Sequence, residues 1–88
     1  MKILLSLRAE KELRKLAKID QIAVTRKIRS LGVPSAVSQE GKLAGYNNIY
    51  RVRMGNYRVV YRKTTEEIFI VLIGHRKDIY HMVRQILR

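Results

Sequence analysis

The chain opens on "KILLSL", where Ile3, Leu4, Leu5 and Leu7 form a short apolar run with no polar face. Such a run predicts a strand at a sheet centre or buried on both sides. From Arg8 to Ile19 the spacing changes: Leu13, Leu16 and Ala17 recur at three and four residues, while Glu10, Lys11, Arg14, Lys15 and Lys18 fill the other side. That period predicts an amphipathic helix with Ser6 as its N-cap. Asp20 predicts the cap of a second helix that carries Ile22, Val24, Ile28 and Leu31 and is closed by Gly32 and Pro34. Residues 33–45, with Pro, Ser and Gly and few large apolar side chains, read as a loop over the sheet.

Beyond Gly45 the period drops to two. Tyr50, Val52 and Met54 alternate with Arg51 and Arg53, and Gly55-Asn56 is a hairpin signal before a strand over residues 57–63. "KTTEE" makes a further turn. "EIFIVLI", residues 67–73, is a β-rich run suited to the inside of a sheet, and Gly74 ends it. Asp78 predicts the cap of a last helix with Ile79, Met82, Val83, Ile86 and Leu87. The resulting order, β-α-α-β-β-β-α, describes a small α+β fold: a mostly antiparallel sheet, two N-terminal helices on one face and a short C-terminal helix. No internal repeat or low-complexity segment divides the chain, so one domain over residues 1–88 is expected.

Charge then sharpens the picture. The 88 residues hold 19 Lys and Arg against 7 Asp and Glu, a formal charge of +12. Such an imbalance calls for a polyanion: nucleic acid, an acidic membrane surface or an acidic protein. The absence of cysteine removes disulfides and thiolate metal sites, and two histidines give a metal little to bind, so neither metal nor cofactor is expected. No apolar run is long enough to span a bilayer, and the N-terminus turns charged too soon for a signal peptide. A cytoplasmic protein that uses no membrane follows as the expectation.

Strand alternation puts Arg51 and Arg53 opposite Tyr50, Val52 and Met54, and puts Arg58, Val60 and Arg62 on one face of the neighbouring strand. If the helices cover the apolar face, the arginines share the open one. Arg62 and Lys63 near a turn read as solubility charges, but Arg51, Arg53 and Arg58 together repel one another with no carboxylate between them. A phosphate backbone would relieve that repulsion. Arginine forks and nearby tyrosines suit RNA or another single strand. No carboxylate pair, serine-histidine arrangement or glycine-rich phosphate loop points to another enzyme class. "GHRKDIY", residues 74–80, places His75, Arg76 and Tyr80 near a sheet edge, and histidine is the side chain that titrates near neutrality. His81, beside an apolar helix face, reads as structural or exposed.

"KLAGYNNIYRVRMGNYRVVYR" followed by "IGHRKDIY" resembles the RelE/ParE superfamily of toxins from toxin-antitoxin pairs, its RelE branch most closely. The resemblance spans nearly the whole chain and implies a RelE-like fold. It also implies a ribosome-dependent endoribonuclease that cuts messenger RNA in the decoding site by 2′-hydroxyl attack and so inhibits translation. By the same resemblance Arg58 and Arg76 stabilise the charge on the phosphorane, while Arg51 and Arg53 hold the messenger backbone, with Lys42 and Arg62 as further RNA-binding positions. Members of the branch often carry lysine where this chain has Arg51 and Arg53, and arginine does not readily give up a proton. Proton transfer therefore shifts toward Tyr80 or His75, with the base placed on Tyr80. The implied partner is an acidic, RelB-like antitoxin in a heterotetramer or larger assembly. Rival readings are a ParE-like toxin acting on DNA gyrase, a non-catalytic RNA-binding domain, and a degenerate toxin that only binds antitoxin.

Overall fold

The computed structural model describes residues 2–33 and 41–87. Its elements follow as β1 (Lys2–Leu5), α1 (Leu7–Lys15), α2 (Lys18–Ser30), β2 (Gly41–Lys42), β3 (Ile49–Met54), β4 (Tyr57–Lys63), β5 (Glu67–His75) and α3 (Ile79–Ile86). The strands form one sheet in the order β1-β5-β4-β3-β2, with β1 parallel to β5 and the other pairs antiparallel. This is the expected α+β architecture with one strand more: Gly41 and Lys42, read as loop, pair with Arg51 and Tyr50 as a short edge. Pro34, expected to close the second helix, lies outside the described residues.

Two N-terminal expectations change. The leucine-rich β1 is an edge strand, not a central one. Its burial alternates, with Ile3 and Leu5 packed against the core and Leu4 37% exposed. An unbroken apolar run cannot show that alternation, because it offers no polar residue to mark the open face.

The helix expected over residues 8–19 stops at Lys15, and the next begins at Lys18 with Ala17 rather than Asp20 at its N-cap. The cause lies in the linking turn. Gln21 Nε2 donates to Leu16 O at 2.9 Å and to Arg14 O at 3.1 Å, satisfying carbonyls that α1 leaves unpaired at its end. Asp20 is left in the first turn of α2, where the helix dipole favours a carboxylate. Ile19, assigned by the pattern to the first helix, is 77% exposed. Ser6 does cap α1: its Oγ accepts the Ala9 N–H at 2.9 Å.

Apolar side chains fill both faces of the sheet. On one side α1 and α2 supply Ala9, Val24, Ile28 and Leu31 to pack on Val52, Val59, Tyr61, Ile68, Ile70 and Ile73. On the other, Ile79 and Val83 of α3 pack on Leu43, Ile49, Val60, Val71 and Leu72. Fully burying one such aliphatic side chain contributes about 1.5 to 3 kcal/mol, so both layers hold the sheet. The arginine face is therefore not open along its whole length, since α3 covers part of it.

β5 changes parity partway along. Tyr61 pairs with Ile70 and Val60 with Leu72, so Val71 is an extra residue, a β-bulge. Both Val71 and Leu72 then belong to the α3 side, and Ile73 to the other. α1 braces this irregularity: Ser6 Oγ donates to Val71 O at 2.8 Å, and the Ile73 N–H, beyond the end of β1, donates to Glu12 Oε1 at 2.9 Å. Glu12 also pairs with Arg8 at 3.4 Å.

Candidate nucleic-acid interface

Strand register sorts the cations into rows on the α3 side. At the tip of the β3–β4 hairpin, Arg53 lies directly across from Arg58, and Arg58 directly across from Gly74. The next row inward holds Gly41, Arg51, Val60 and Leu72. Further along, Ile49, Arg62 and Phe69 form a third. Gly55 turns the hairpin with φ 59°, a backbone value that side-chain-bearing residues rarely adopt.

Arg58 is partly buried and folds back on that turn, donating from one guanidinium nitrogen to Gly55 O at 3.2 Å and Tyr57 O at 3.1 Å. The remaining donors of its fork are left for an anion. Arg51 closes over Gly41: a Cβ built there would stand 2.8 Å from the Arg51 guanidinium. Among the described residues, no carboxylate pairs with Arg51, Arg53, Arg58 or Arg76. Two arginines directly opposite on neighbouring strands oppose the fold, and an incoming phosphate relieves them.

The loop after β5 delivers the other expected residues. The Arg76 N–H donates to Asn56 O at 2.8 Å, which fixes Arg76 beside the hairpin tip. Gly74 lets α3 come close, since a Cβ there would meet Ile79 at 3.0 Å and Met82 at 3.2 Å. Tyr80, next to Ile79 and 42% exposed, thus stands at the same end of the sheet as Arg53 and Arg58. Asp78 is the N-cap of α3 but makes no capping bond with its side chain.

Three expected site residues do not join this group. Arg62 shares the face but lies four residues along β4 from Arg58, about 13 Å at ordinary strand rise. Lys42 pairs with Tyr50, on the parity of the α1/α2 side. His75 pairs with Tyr57, also on the α1/α2 side, and meets its ring edge-on at 6.0 Å between centroids. The bulge at Val71 is the reason: it gives Gly74 the position across from Arg58 and sends His75 to the reverse face. Sequence reading also missed Asn56, Gly74 and Glu12, which place the site through backbone bonds and close approach. Only Gly74, a glycine at the end of an apolar strand, carried a signal of it.

Among the described residues no group of three or more His, Cys, Asp or Glu could hold a metal ion, and no helix is long and apolar enough to cross a membrane. The chemistry on offer is that of fixed cations and one phenol.

Comparison with known proteins agrees with this geometry. A family model described as the ParE toxin of type II toxin-antitoxin system, parDE, matches residues 3–80. Toxin RelE3 of Methanocaldococcus jannaschii is 44% identical over 39 residues, a match spanning 44% of this chain and 44% of that relative's length. Among solved structures, the RelB-RelE antitoxin-toxin complex from Methanococcus jannaschii superposes with a TM-score of 0.73 at 26% identity, covering 90% of this chain and 96% of that one. The intact RelBE toxin-antitoxin complex of E. coli gives 0.67 at 28% identity, covering 84% and 94%. With most of its length matched by the family model and its fold shared with RelE structures, the chain belongs to the RelE/ParE superfamily of type II toxin-antitoxin toxins and is of RelE type.

Proposed function

We propose that this chain is the toxin of a cytoplasmic toxin-antitoxin pair and acts as a ribosome-dependent endoribonuclease, cutting messenger RNA in the decoding site. The observation that carries the reading is the directly opposed Arg53–Arg58 pair, with Arg76 and Tyr80 brought to the same end of the sheet. In the reaction, a 2′-hydroxyl oxygen attacks the adjacent phosphorus and gives up its proton. The bond from phosphorus to the 5′ oxygen breaks, and that oxygen takes a proton. A 2′,3′-cyclic phosphate and a 5′-hydroxyl result. Charge builds on the non-bridging oxygens at the midpoint, where pre-positioned cations lower the barrier most. Arg58 and Arg76 serve there, Arg51 and Arg53 hold the backbone, and Tyr80 takes the nucleophile's proton.

The same cationic face explains inhibition by a partner. A RelB-like acidic antitoxin would occupy the phosphate positions, and the RelB-bound relatives support such a pair; its expected form is a heterotetramer or larger assembly.

The test is cleavage of messenger on programmed ribosomes by the purified chain, mapped by primer extension, beside Arg76→Ala and Tyr80→Phe. Discrete cuts in the decoding site, each reduced by about 10²-fold or more in both variants, are expected. Intact messenger with the wild-type chain would reject the nuclease reading. The ParE description of the matching family favours inhibition of DNA gyrase as the second reading. A supercoiling assay then distinguishes it.

A further inference from the structure

His75 sits one residue past the arginine face, with its ring on the reverse side of the sheet. With Asp20, Met54, Asn56 and Tyr57 it lines a cavity of about 330 Å³ between the start of α2 and the hairpin tip. Adjacent residues of a strand face opposite sides, and Gly74 already occupies the place across from Arg58. The imidazole is thus on the wrong side of the sheet to exchange a proton with RNA held by the arginines.

What His75 does contact is the turn that carries the site. Its Nδ1 accepts the Lys77 N–H at 3.2 Å, and its carbonyl oxygen accepts the Asp78 N–H at 2.9 Å. Ahead of them in the chain, the Arg76 N–H donates to Asn56 O at 2.8 Å. Each amide of the link between β5 and α3 is therefore engaged, and two of the three bonds end on His75. The ring itself is braced edge-on against Tyr57. Arg76 is the first residue of this link, and Tyr80 stands in the first turn of the helix it leads into.

We infer that His75 is a positioning residue for the cleavage proposed above: its neutral imidazole holds the Lys77 N–H, the one bond of the Arg76–Asp78 turn that ends on a side chain, and protonation removes that bond. Only a neutral ring has a nitrogen able to accept, because imidazolium donates from both. The charged or titratable groups around the ring are Asp20 on α2, Tyr57 on β4, and Arg76, Lys77 and Asp78 in the turn. The sign follows directly: a neutral ring accepts the Lys77 N–H and a protonated ring does not. The consequence for cleavage rests on the nuclease reading, whereas the turn can be tested without it.

The experiment compares the wild-type chain with His75→Ala and His75→Asn from about pH 5.5 to 8.5. Two quantities are read: the single-turnover cleavage rate on programmed ribosomes, and hydrogen exchange at the Lys77 amide. For the wild type, both rate and amide protection fall together toward acid. His75→Ala loses about tenfold in rate at the alkaline end, as removal of one anchoring hydrogen bond allows, with KM unchanged and Lys77 unprotected. His75→Asn places an oxygen near the position of Nδ1 and does not titrate. It restores most of the rate and the protection and removes the acid limb from both profiles.

An Asn variant that folds but is as inactive as Ala would overturn the inference and return His75 to proton transfer. So would Lys77 protection that ignores both pH and the Ala substitution. Should the wild type leave messenger intact, the nuclease reading fails, and the exchange measurement alone decides whether His75 holds the turn.

Discussion

The two faces of the β3–β4 hairpin are built from alternate residues of the same strands, yet they serve opposite ends. On the α1/α2 side, Tyr50, Val52, Met54, Val59 and Tyr61 join one apolar layer, and Tyr50 and Tyr61 stack at 6.0 Å. On the α3 side, Arg51, Arg53 and Arg58 stand where a layer of that kind would have continued. The first face stabilises the fold by burial along its length; on the second, Ile49 and Val60 are buried under α3 while the arginines work against the fold by repulsion. What the contrast teaches is that a small domain can carry a self-repelling site because the reverse of the same strands, over residues 50–54 and 57–61, is apolar. Stability and binding are separated by parity, one residue apart.

That separation is open to direct attack, beginning with the apolar face. Ile70→Ala, at a fully buried position, is expected to lower unfolding free energy by about 2 to 5 kcal/mol, a large share of what a domain of this size has. Denaturant melts measure the loss. Cleavage per folded molecule should stay near wild type, and a specific loss of activity would show that the faces are not separable.

On the arginine face the pattern reverses. Arg58→Ala should reduce cleavage by about 10²- to 10³-fold, since a fixed cation at the scissile phosphate is removed, while the unfolding midpoint barely moves. Arg58→Lys keeps the charge but not the fork, and an activity near wild type there would reduce the role of Arg58 to a point charge.

The smallest effect is the most diagnostic. Arg53→Thr removes one of two like charges set directly opposite, and it should stabilise the fold by about 0.2 to 1 kcal/mol. The same change should weaken binding to single-stranded RNA and flatten its salt slope by about 0.7, the share of a single neutralised phosphate. A variant that is both less stable and equally salt-dependent would mean that the arginine is structural.

How far this was legible in the sequence depends on which physical signal each element carried. Period-two alternation with a Gly-Asn turn placed β3 and β4 and assigned Arg51, Arg53 and Arg58 to one face, because alternation is a local rule. Ser6 as the cap of α1 was equally local. The break between α1 and α2 was not, since it depends on the Gln21 side chain reaching back to Arg14 and Leu16. The edge position of β1 was hidden by leucines on both of its faces, and β2 by its length of two residues. In the site, the proximity of Arg76 and Tyr80 to the hairpin could be expected from the resemblance, whereas the reversal of His75 could not. It arises from one extra residue in β5 that leaves no mark in an unbroken run of apolar side chains.

That extra residue behaves as a parity switch. Were β5 to pair without the bulge, every residue kept, Val71 would stand across from Val60 and Ile73 across from Arg58, with His75 turned to the arginine face and Gly74 toward the side of α1 and α2. The glycine that admits α3 would then face the wrong side, and an imidazole would stand in the helix's path. Substitution at the chemical residues is thus only one route by which relatives could exchange a cation-and-phenol site for one containing histidine. A one-residue slip in the register of β5 would do the same and leave every residue in the sequence unchanged, whereas loss of Val71 itself would keep Gly74 across from Arg58.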